Sequence, residues 1–181
     1  MVSINWPHRD PRANDQSGKG RGPVNVRSRQ AYELAKVILT QKYIPIIGAG
    51  KARWHQLHVA DLTDAFLLLV EAAVSKKLDE NLWGAKGYYL IEGGDFYWSD
   101  LAKLMGKKAA ELGFISEPET KPLAKDAALE IAGFEAVSWG LNSRAKGERA
   151  GKMLGWKATR PKIEDLVADI LKDEHERLST K

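Results

Sequence analysis

The sequence predicts an α/β fold that is mostly helical, with a few short strands. Three features support this prediction. Apolar residues recur at helical spacing in several segments, two short stretches have the composition of β-strands, and Gly- or Pro-containing turns separate these segments. The chain has 181 residues, of which 44% are hydrophobic and 29% are charged. This length and composition suit one well-packed globular domain.

The first half of the chain predicts two helices with a strand between them. The first helix rests on apolar residues at 31, 34, 35 and 38, and it ends before Pro45 and the "GAG" turn. The stretch "HQLHV" (55–59) predicts a short strand. From Asp61, apolar residues at 62, 65, 66, 69, 70 and 73 predict a second helix, and Leu67 and Leu68 widen its apolar face. We therefore expect this helix to be buried on more than one side.

The second half predicts a strand and three more helices. "GYYLIE" (87–92) is a strand candidate, and a turn separates it from a helix that Ser99 could cap. Residues 125–144 give no clear pattern. A short helix precedes "LGW" (154–156). In the last helix, apolar residues recur at 163, 166, 167, 170 and 171, and Pro161 suits its first turn.

Composition excludes several classes of site. The chain has no cysteine, which excludes thiol catalysis, disulfides and cysteine-based metal sites. No run reaches the roughly 18 apolar residues of a membrane span, and residues 1–12 lack the apolar core of a signal peptide. We therefore expect a cytoplasmic protein with no membrane partner.

Positive charge is concentrated near the start of the chain, in a Gly- and Pro-rich segment. The net charge of the whole chain is +4. Residues 8–30 alone carry six basic side chains against two acidic ones, namely Arg9, Arg12, Lys19, Arg21, Arg27 and Arg29 against Asp10 and Asp15. Residues 1–28 are predicted to form a basic arm or loop. Such an arm could attract phosphates or nucleic acid, but an ordinary solvated loop is the favoured interpretation, and a nucleic-acid partner is not expected.

Tyr32 and Lys36 have the spacing of the proton-transfer pair of short-chain dehydrogenases. A nearby ammonium lowers the pKa of a phenol, which lets it act as an acid or base. Helix geometry argues against that role, because Leu34 and Ile38 centre the buried face and the pair is expected to point away from it. The segment before Tyr32 also contains no dinucleotide-binding motif. We interpret the two residues as an ordinary pair on a helix surface.

His55, His58, Asp61 and Asp64 recur every three residues, and imidazole and carboxylate groups are common metal ligands. In a strand, however, His55 and His58 face opposite sides, and Asp61 is better explained as a residue that begins the next helix. We expect no metal site here.

Four ordered motifs resemble one enzyme family. "WHQLHVADLTDAFLLLVEAA" (54–73) resembles the strand-to-helix segment in the C-terminal half of extended short-chain dehydrogenases, the NAD-dependent epimerase/dehydratase family. The pattern stands here as His58, Val59, Asp61 and Leu62. "GYYLIEGGDFYWSDLAKLM" (87–105) and "AKGERAGKMLGWKATRPKIEDLV" (145–167) are similar to later family segments. "GKGRGPVNVRS" (18–28) is similar to the loop after the family's catalytic helix. The resemblance extends from about residue 18 to the C-terminus.

The resemblance implies a partial Rossmann-like fold. Residues 29–181 would be the substrate-binding half, and the cofactor-binding half and the catalytic Tyr and Lys would be missing. The family uses NAD(P), which this chain alone is not expected to bind. In the nucleotide-sugar enzymes of the family, an Arg that grips a diphosphate stands where this chain has Trp54, with Arg53 one residue earlier. The resemblance therefore favours an aromatic or less charged carbonyl or alcohol substrate.

Six residues are candidates for substrate binding. Two lie in the loop at 18–28, two on the predicted strand, and two in "SWGLNSR" (138–144), where helix capping is an equally simple explanation. They are Asn25, Arg27, Arg53, Trp54, Trp139 and Asn142. No catalytic, cofactor or metal residue is predicted.

Three functions stay open. The first is the substrate domain of an NAD(P)-dependent oxidoreductase or epimerase. The second is a non-catalytic binding or scaffold module, and the third is a basic-armed nucleic-acid binder. In the first two cases, self-association or a partner chain is expected to cover the apolar surface of the helix at 61–73.

Overall fold

The computed structural model describes residues 29–75 and 81–180, together with the backbone of residues 2–5. Asn25, Arg27 and the rest of the predicted basic arm lie outside the described residues, apart from a strand at its start. In the described part of the chain, no helix is long and apolar enough to cross a membrane.

Five short strands form two small sheets. Strand β1 (Val2–Asn5) pairs in parallel with β3 (Arg53–His58), and β3 pairs antiparallel with β4 (Asp95–Tyr97). The second sheet pairs β2 (Ile44–Ile47) in parallel with β5 (Thr120–Leu123). The described structure is therefore α/β with few and short strands, as the sequence predicts.

The described residues also form six α-helices. The bounds are α1 (Gln30–Gln41), α2 (Val59–Val74), α3 (Trp98–Glu111), α4 (Lys125–Ser138), α5 (Glu148–Leu154) and α6 (Val167–Ser179). Two 3₁₀ turns lie at Gly84–Lys86 and Ile163–Leu166.

The main core lies between α1, α3 and α6. Its largest fully buried side chains include Leu34, Ile38, Leu101, Met105 and Leu171. These residues follow the helical spacing that the sequence predicts, since each helix turns one apolar stripe inward. A smaller cluster joins α2 and α5 to β3.

A buried glutamine connects β3 to the end of the chain. The Gln56 side-chain oxygen Oε1 accepts from the Ile163 backbone N–H at 2.5 Å, and its side-chain nitrogen Nε2 donates to Glu164 Oε2 at 3.0 Å. Because Gln56 is only 1% exposed, these bonds satisfy polar groups that would otherwise be costly to bury. They fix the 3₁₀ turn before α6 against the strand.

The prediction of a strand at residues 87–92 is wrong. These residues form no ladder, and pairing with β3 begins only where Gly93 donates to the Gln56 carbonyl and Gln56 donates to the Gly94 carbonyl. Tyr89 and Ile91 alternate with exposed neighbours because they pack one-sidedly against the small cluster of α2 and α5. One-sided packing produces the same alternation as a half-buried strand.

Two helix boundaries also differ from expectation. Helix α3 begins at Trp98 directly after β4, so Ser99 lies inside its first turn and does not cap it. The last helix begins as a 3₁₀ turn at Ile163, and Pro161 precedes that turn.

Tyr32 was expected to point away from the core, and it does not. It is 6% exposed, and its hydroxyl donates to Asp173 Oδ2 on α6 at 3.1 Å. Lys36 instead donates to Glu33, one turn earlier on α1. Since α6 covers a second side of α1, the helix is buried more widely than its apolar stripe indicates. The side chains of Tyr32 and Lys36 therefore bind acidic residues on two different elements.

Candidate functional site

A loop at residues 139–144 is fastened to strand β3. The Trp54 indole donates to the Leu141 carbonyl at 2.7 Å. The Arg53 N–H donates to Asn142 Oδ1 at 3.1 Å, and the Ser143 N–H donates to the Arg53 carbonyl at 3.0 Å. The structure therefore brings Arg53, Trp54 and Asn142 together, although 89 residues separate the first from the last along the chain.

Three tryptophans support this loop from inside. The ring centroids of Trp54 and Trp98 are 5.3 Å apart, edge to face, and those of Trp98 and Trp139 are 6.0 Å apart. The Trp139 indole donates to Gln30 Oε1 at 2.9 Å. Trp54 and Trp139 are each only 3% exposed, so in this structure both pack in the core. Substrate binding by either residue stays a prediction.

Arg53 lies on the opposite side of β3 from Trp54, as strand alternation predicts. It forms an exposed ion pair with Asp95 on β4. The hydrogen bond between them raises the pKa of Arg53 and lowers the pKa of the Asp95 carboxyl. To bind an anionic substrate, Arg53 would have to exchange this partner.

An open apolar pocket of about 560 Å³ lies on the outer side of the same loop. We call it the α4 pocket. Its lining consists of Ile47, Gly48, Lys125, Leu129, Phe134, Val137, Gly140 and Leu141. Leu141 belongs both to this lining and to the fastened loop. Residues of the loop were candidates from the sequence, but the pocket was not predicted. Most of its lining lies in the segment 125–144, whose sequence shows no clear pattern.

Two glycines shape the α4 pocket. Gly133, with φ 59° and ψ −145°, bends α4 in its middle, a conformation that side-chain-bearing residues rarely adopt. A Cβ on Gly140 would lie 2.7 Å from Ile47 Cγ2, so only glycine lets the loop approach β2 this closely. The shape of the pocket therefore depends on the backbone conformation at these two glycines as well as on the side chains that line it.

At the junction between β3 and α2, side chains bind backbone N–H groups. His58 Nδ1 accepts from the Ala60 N–H at 3.1 Å and so caps the helix. Asp61 is 1% exposed, and its carboxylate accepts from the Thr159 N–H at 3.0 Å, the Thr159 hydroxyl at 3.3 Å and the Arg160 N–H at 3.2 Å. The Asp61 carbonyl also accepts from the Trp156 indole at 2.8 Å.

These contacts assign structural roles to three members of the His and Asp repeat. His58 caps a helix, Asp61 binds the segment around Thr159, and Asp64 pairs with Arg160 at 3.3 Å. Within the described residues, no group of three potential ligands could hold a metal ion. Asp61 was expected to begin the helix, and it instead lies in its first turn and binds a distant segment.

Comparison with known proteins gives the family context. No family model matches the chain. The oxidase ucsJ of an Acremonium species is 32% identical over 167 residues, covering 89% of this chain and 48% of that protein. The chain thus spans about half the length of this curated relative.

Two solved structures share its fold. The PbgP3 protein of Burkholderia pseudomallei has a TM-score of 0.54 at 18% identity, covering 87% of this chain and 42% of that one. UDP-glucose 4-epimerase of Thermotoga maritima, in complex with UDP-glucose, has a TM-score of 0.52 at 19% identity. That match covers 99% of this chain and 45% of the epimerase.

The chain has the fold of the C-terminal part of an extended short-chain dehydrogenase. The resemblance stated from the motifs is thereby confirmed. In the present chain, the segment from His58 to Leu62 has a structural role. It connects strand β3 to helix α2, and through Asp61 it binds the C-terminal segment around Thr159.

Replacement of Asp61 by Ala should destabilise the chain strongly. The substitution leaves the N–H groups of Thr159 and Arg160 without their acceptor, which should lower the free energy of unfolding by about 2–3 kcal/mol. Urea unfolding measures this change. Asp64→Ala is the matched control, because its exposed pair with Arg160 should contribute only about 0–1 kcal/mol. Equal effects of the two substitutions would contradict the anchoring role.

His58 should make stability depend on pH. Burial lowers its pKa below the ordinary value of 6.5, and nearby Arg160 lowers it further while Asp61 opposes the shift. The unfolded chain therefore takes up this proton first as the pH falls. Accordingly, the free energy of unfolding should be highest above about pH 6.5 and should decrease as the pH falls below that value.

Urea unfolding of the wild type and of His58→Asn at several pH values tests this dependence. Asn keeps a side-chain acceptor for the helix cap but does not titrate. The variant should show a flatter pH profile between about pH 5 and pH 7 than the wild type. His8, His55 and His175 are common to both proteins, so the difference isolates His58. Parallel profiles would refute this assignment.

Proposed function

We propose that the chain is the substrate-binding part of an NAD(P)-dependent oxidoreductase that acts on a small carbonyl or alcohol compound. The fold likeness and the relative named as an oxidase support this proposal. The observation that carries it is an apolar face of α2 that the described residues leave uncovered. A surface of this kind fits a larger enzyme in which a second polypeptide segment extends the sheet of β1, β3 and β4.

The uncovered face of α2 is broad and continuous. Ala65 and Ala72 face the protein, whereas Phe66, Leu67, Val70 and Val74 are 54–77% exposed. Phe66, Val70 and Val74 follow one another at a spacing of four residues, so they form one stripe on the helix. Exposed apolar patches of this kind mark interaction surfaces. The broad apolar face was expected from the sequence, and only one side of it is buried in the described structure.

Strand β1 supports the same conclusion. It pairs with β3 in parallel, and in the described structure no strand lies along its other edge. An open edge beyond a parallel strand pair is the feature expected where a larger sheet continues.

The strand-to-helix junctions of the described chain do not fit a dinucleotide. A dinucleotide pyrophosphate needs a Gly-rich turn that opens a helix after a parallel strand. At the junction of β3 and α2, the His58 ring and the Asp61 carboxylate take that position. At the junction of β5 and α4, Ala124 is the single connecting residue. These features support placing the cofactor on the second segment, with the present chain supplying substrate contacts.

The isolated chain should associate with itself through α2. Sedimentation equilibrium across a concentration series should show a mass above that of the monomer. The double substitution Phe66→Ser and Val70→Ser should shift the chain toward monomer, because it removes two large apolar side chains from the exposed stripe. Tyr88→Ser is the matched control, since Tyr88 is exposed but lies outside α2. A wild-type chain that stays monomeric at all concentrations would contradict this expectation.

The oxidoreductase proposal is tested by supplying the second segment. The part of the Acremonium oxidase that this chain does not match is produced separately and mixed with the chain. We expect a stable complex that binds NADPH or NADH, seen as saturable energy transfer from tryptophan to the nicotinamide. The Phe66→Ser and Val70→Ser variant should not form this complex.

The positive control for assembly is the segment of the Acremonium oxidase that this chain matches, mixed with the remainder of that oxidase. If the chain forms the complex but no nicotinamide binds, the oxidoreductase proposal is wrong and a non-catalytic binding module is favoured. If the control pair assembles and binds nicotinamide but the chain does not assemble, α2 is not the surface that joins the two parts.

A further inference from the structure

The exposed large apolar side chains of α4 and the loop after it converge on the α4 pocket. Leu129, Phe134 and Leu141 are 43%, 61% and 51% exposed, and all three line it. They are separate from the exposed stripe of α2. Val137, 8% exposed, and the partly buried Ile47 complete the apolar lining. Water-exposed apolar surface on this scale is unfavourable unless something covers it.

The position of Phe134 follows from the bend in α4. Ala132 and Gly133 leave helical geometry, so the axis changes direction immediately before Phe134. Phe134 consequently stands on one side of the pocket, with Leu129 from the preceding part of the helix lining it as well. Without the bend, helical spacing would place residues 129 and 134 about 140° apart around one axis.

Lys125 supplies the charge at the pocket. It is the first residue of α4 and the single ionisable side chain among the lining residues. In the part of the chain that the structure describes, no ion pair or hydrogen bond of its ammonium is found. Asp126 and Glu130, the acidic residues nearest to it along the chain, do not line the pocket. An anionic group at the pocket would therefore meet a positive charge that is not already paired.

We propose that the α4 pocket binds a small molecule with an apolar body and one carboxylate, which pairs with the Lys125 ammonium. This inference deepens the proposed function, on which the molecule's role as substrate rests. The volume of about 560 Å³ lies within the range of about 300–1,000 Å³ that is typical of small-molecule sites. A single lysine suits one carboxylate, whereas phosphate groups are usually held by several donors.

The pocket is joined to the rest of the candidate site through Leu141. The carbonyl of this lining residue accepts from the Trp54 indole, and Asn142 next to it accepts from the Arg53 N–H. A ligand in the α4 pocket would thus touch the loop that β3 holds in place. Its carboxylate would lie beside α4, and its apolar body beside the loop.

The test measures binding of decanoate and decan-1-ol to the chain by calorimetry, below the concentration at which either probe aggregates. The two probes have the same chain length and differ in the carboxylate. We expect saturable binding of both, with decanoate the tighter. Lys125→Met should weaken decanoate binding by about three- to fivefold, as expected for loss of an exposed ion pair, and leave decan-1-ol unchanged. Lys172→Met, an exposed lysine on α6, is the matched control.

A second variant tests the apolar lining. Leu129→Ser should weaken both probes, and because Leu129 is half-exposed the fold should persist, which circular dichroism checks. Phe66→Ser on α2 should change neither. The proposal is overturned if no saturable binding is seen, if Lys125→Met affects both probes equally, or if Phe66→Ser abolishes binding. It is also overturned if the pocket is filled by a second copy of the chain, seen as self-association that Leu129→Ser removes. None of these measurements needs the cofactor segment, so their failure is distinguishable from failure of the proposed oxidoreductase function.

Discussion

The buried carboxylate of Asp61 holds together the parts of this fold that are most distant in sequence. Its oxygens accept hydrogen bonds from Thr159 and Arg160, and its carbonyl accepts one from Trp156. A buried carboxylate is tolerated only where donors satisfy it, so the C-terminal segment must return to α2 for either to be stable. The orientation of α2, and hence of its exposed apolar face, depends on this return.

Two surfaces of the chain differ in shape and chemistry. The α2 face is an exposed apolar stripe on a helix, and this surface suits another protein segment. The α4 pocket is concave, contains one cation and borders a loop fixed to β3, and this geometry suits a small ligand. The two surfaces thus correspond to the two parts of the proposal, assembly with a second segment and binding of a small ligand.

The sequence predicted the elements whose apolar residues recur at a regular period. Helices α1, α2, α3 and α6 and strand β3 are of this kind. It predicted a strand at 87–92 because one-sided packing of Tyr89 and Ile91 imitates strand alternation, and it misplaced Tyr32 because α6 buries a second side of α1. It could not resolve 125–144, where a bend at Gly133 interrupts the helical period. The candidate residues Arg53, Trp54 and Asn142 came from resemblance. Long-range hydrogen bonds between side chains and backbone, which no local pattern encodes, bring them together.

The parallel pairing of β1 with β3 has a consequence for the kinetics of folding. Val2 lies opposite His55, so the pairing closes a segment of the chain that contains α1 and β2. Closing so long a segment costs chain entropy before any strand contact is gained. The local contacts of β3, α2 and β4 can form without this closure, and β1 should therefore join late. Until it does, the edge of β3 that faces β1 is open to pairing with another chain, and the risk of aggregation during synthesis is concentrated there.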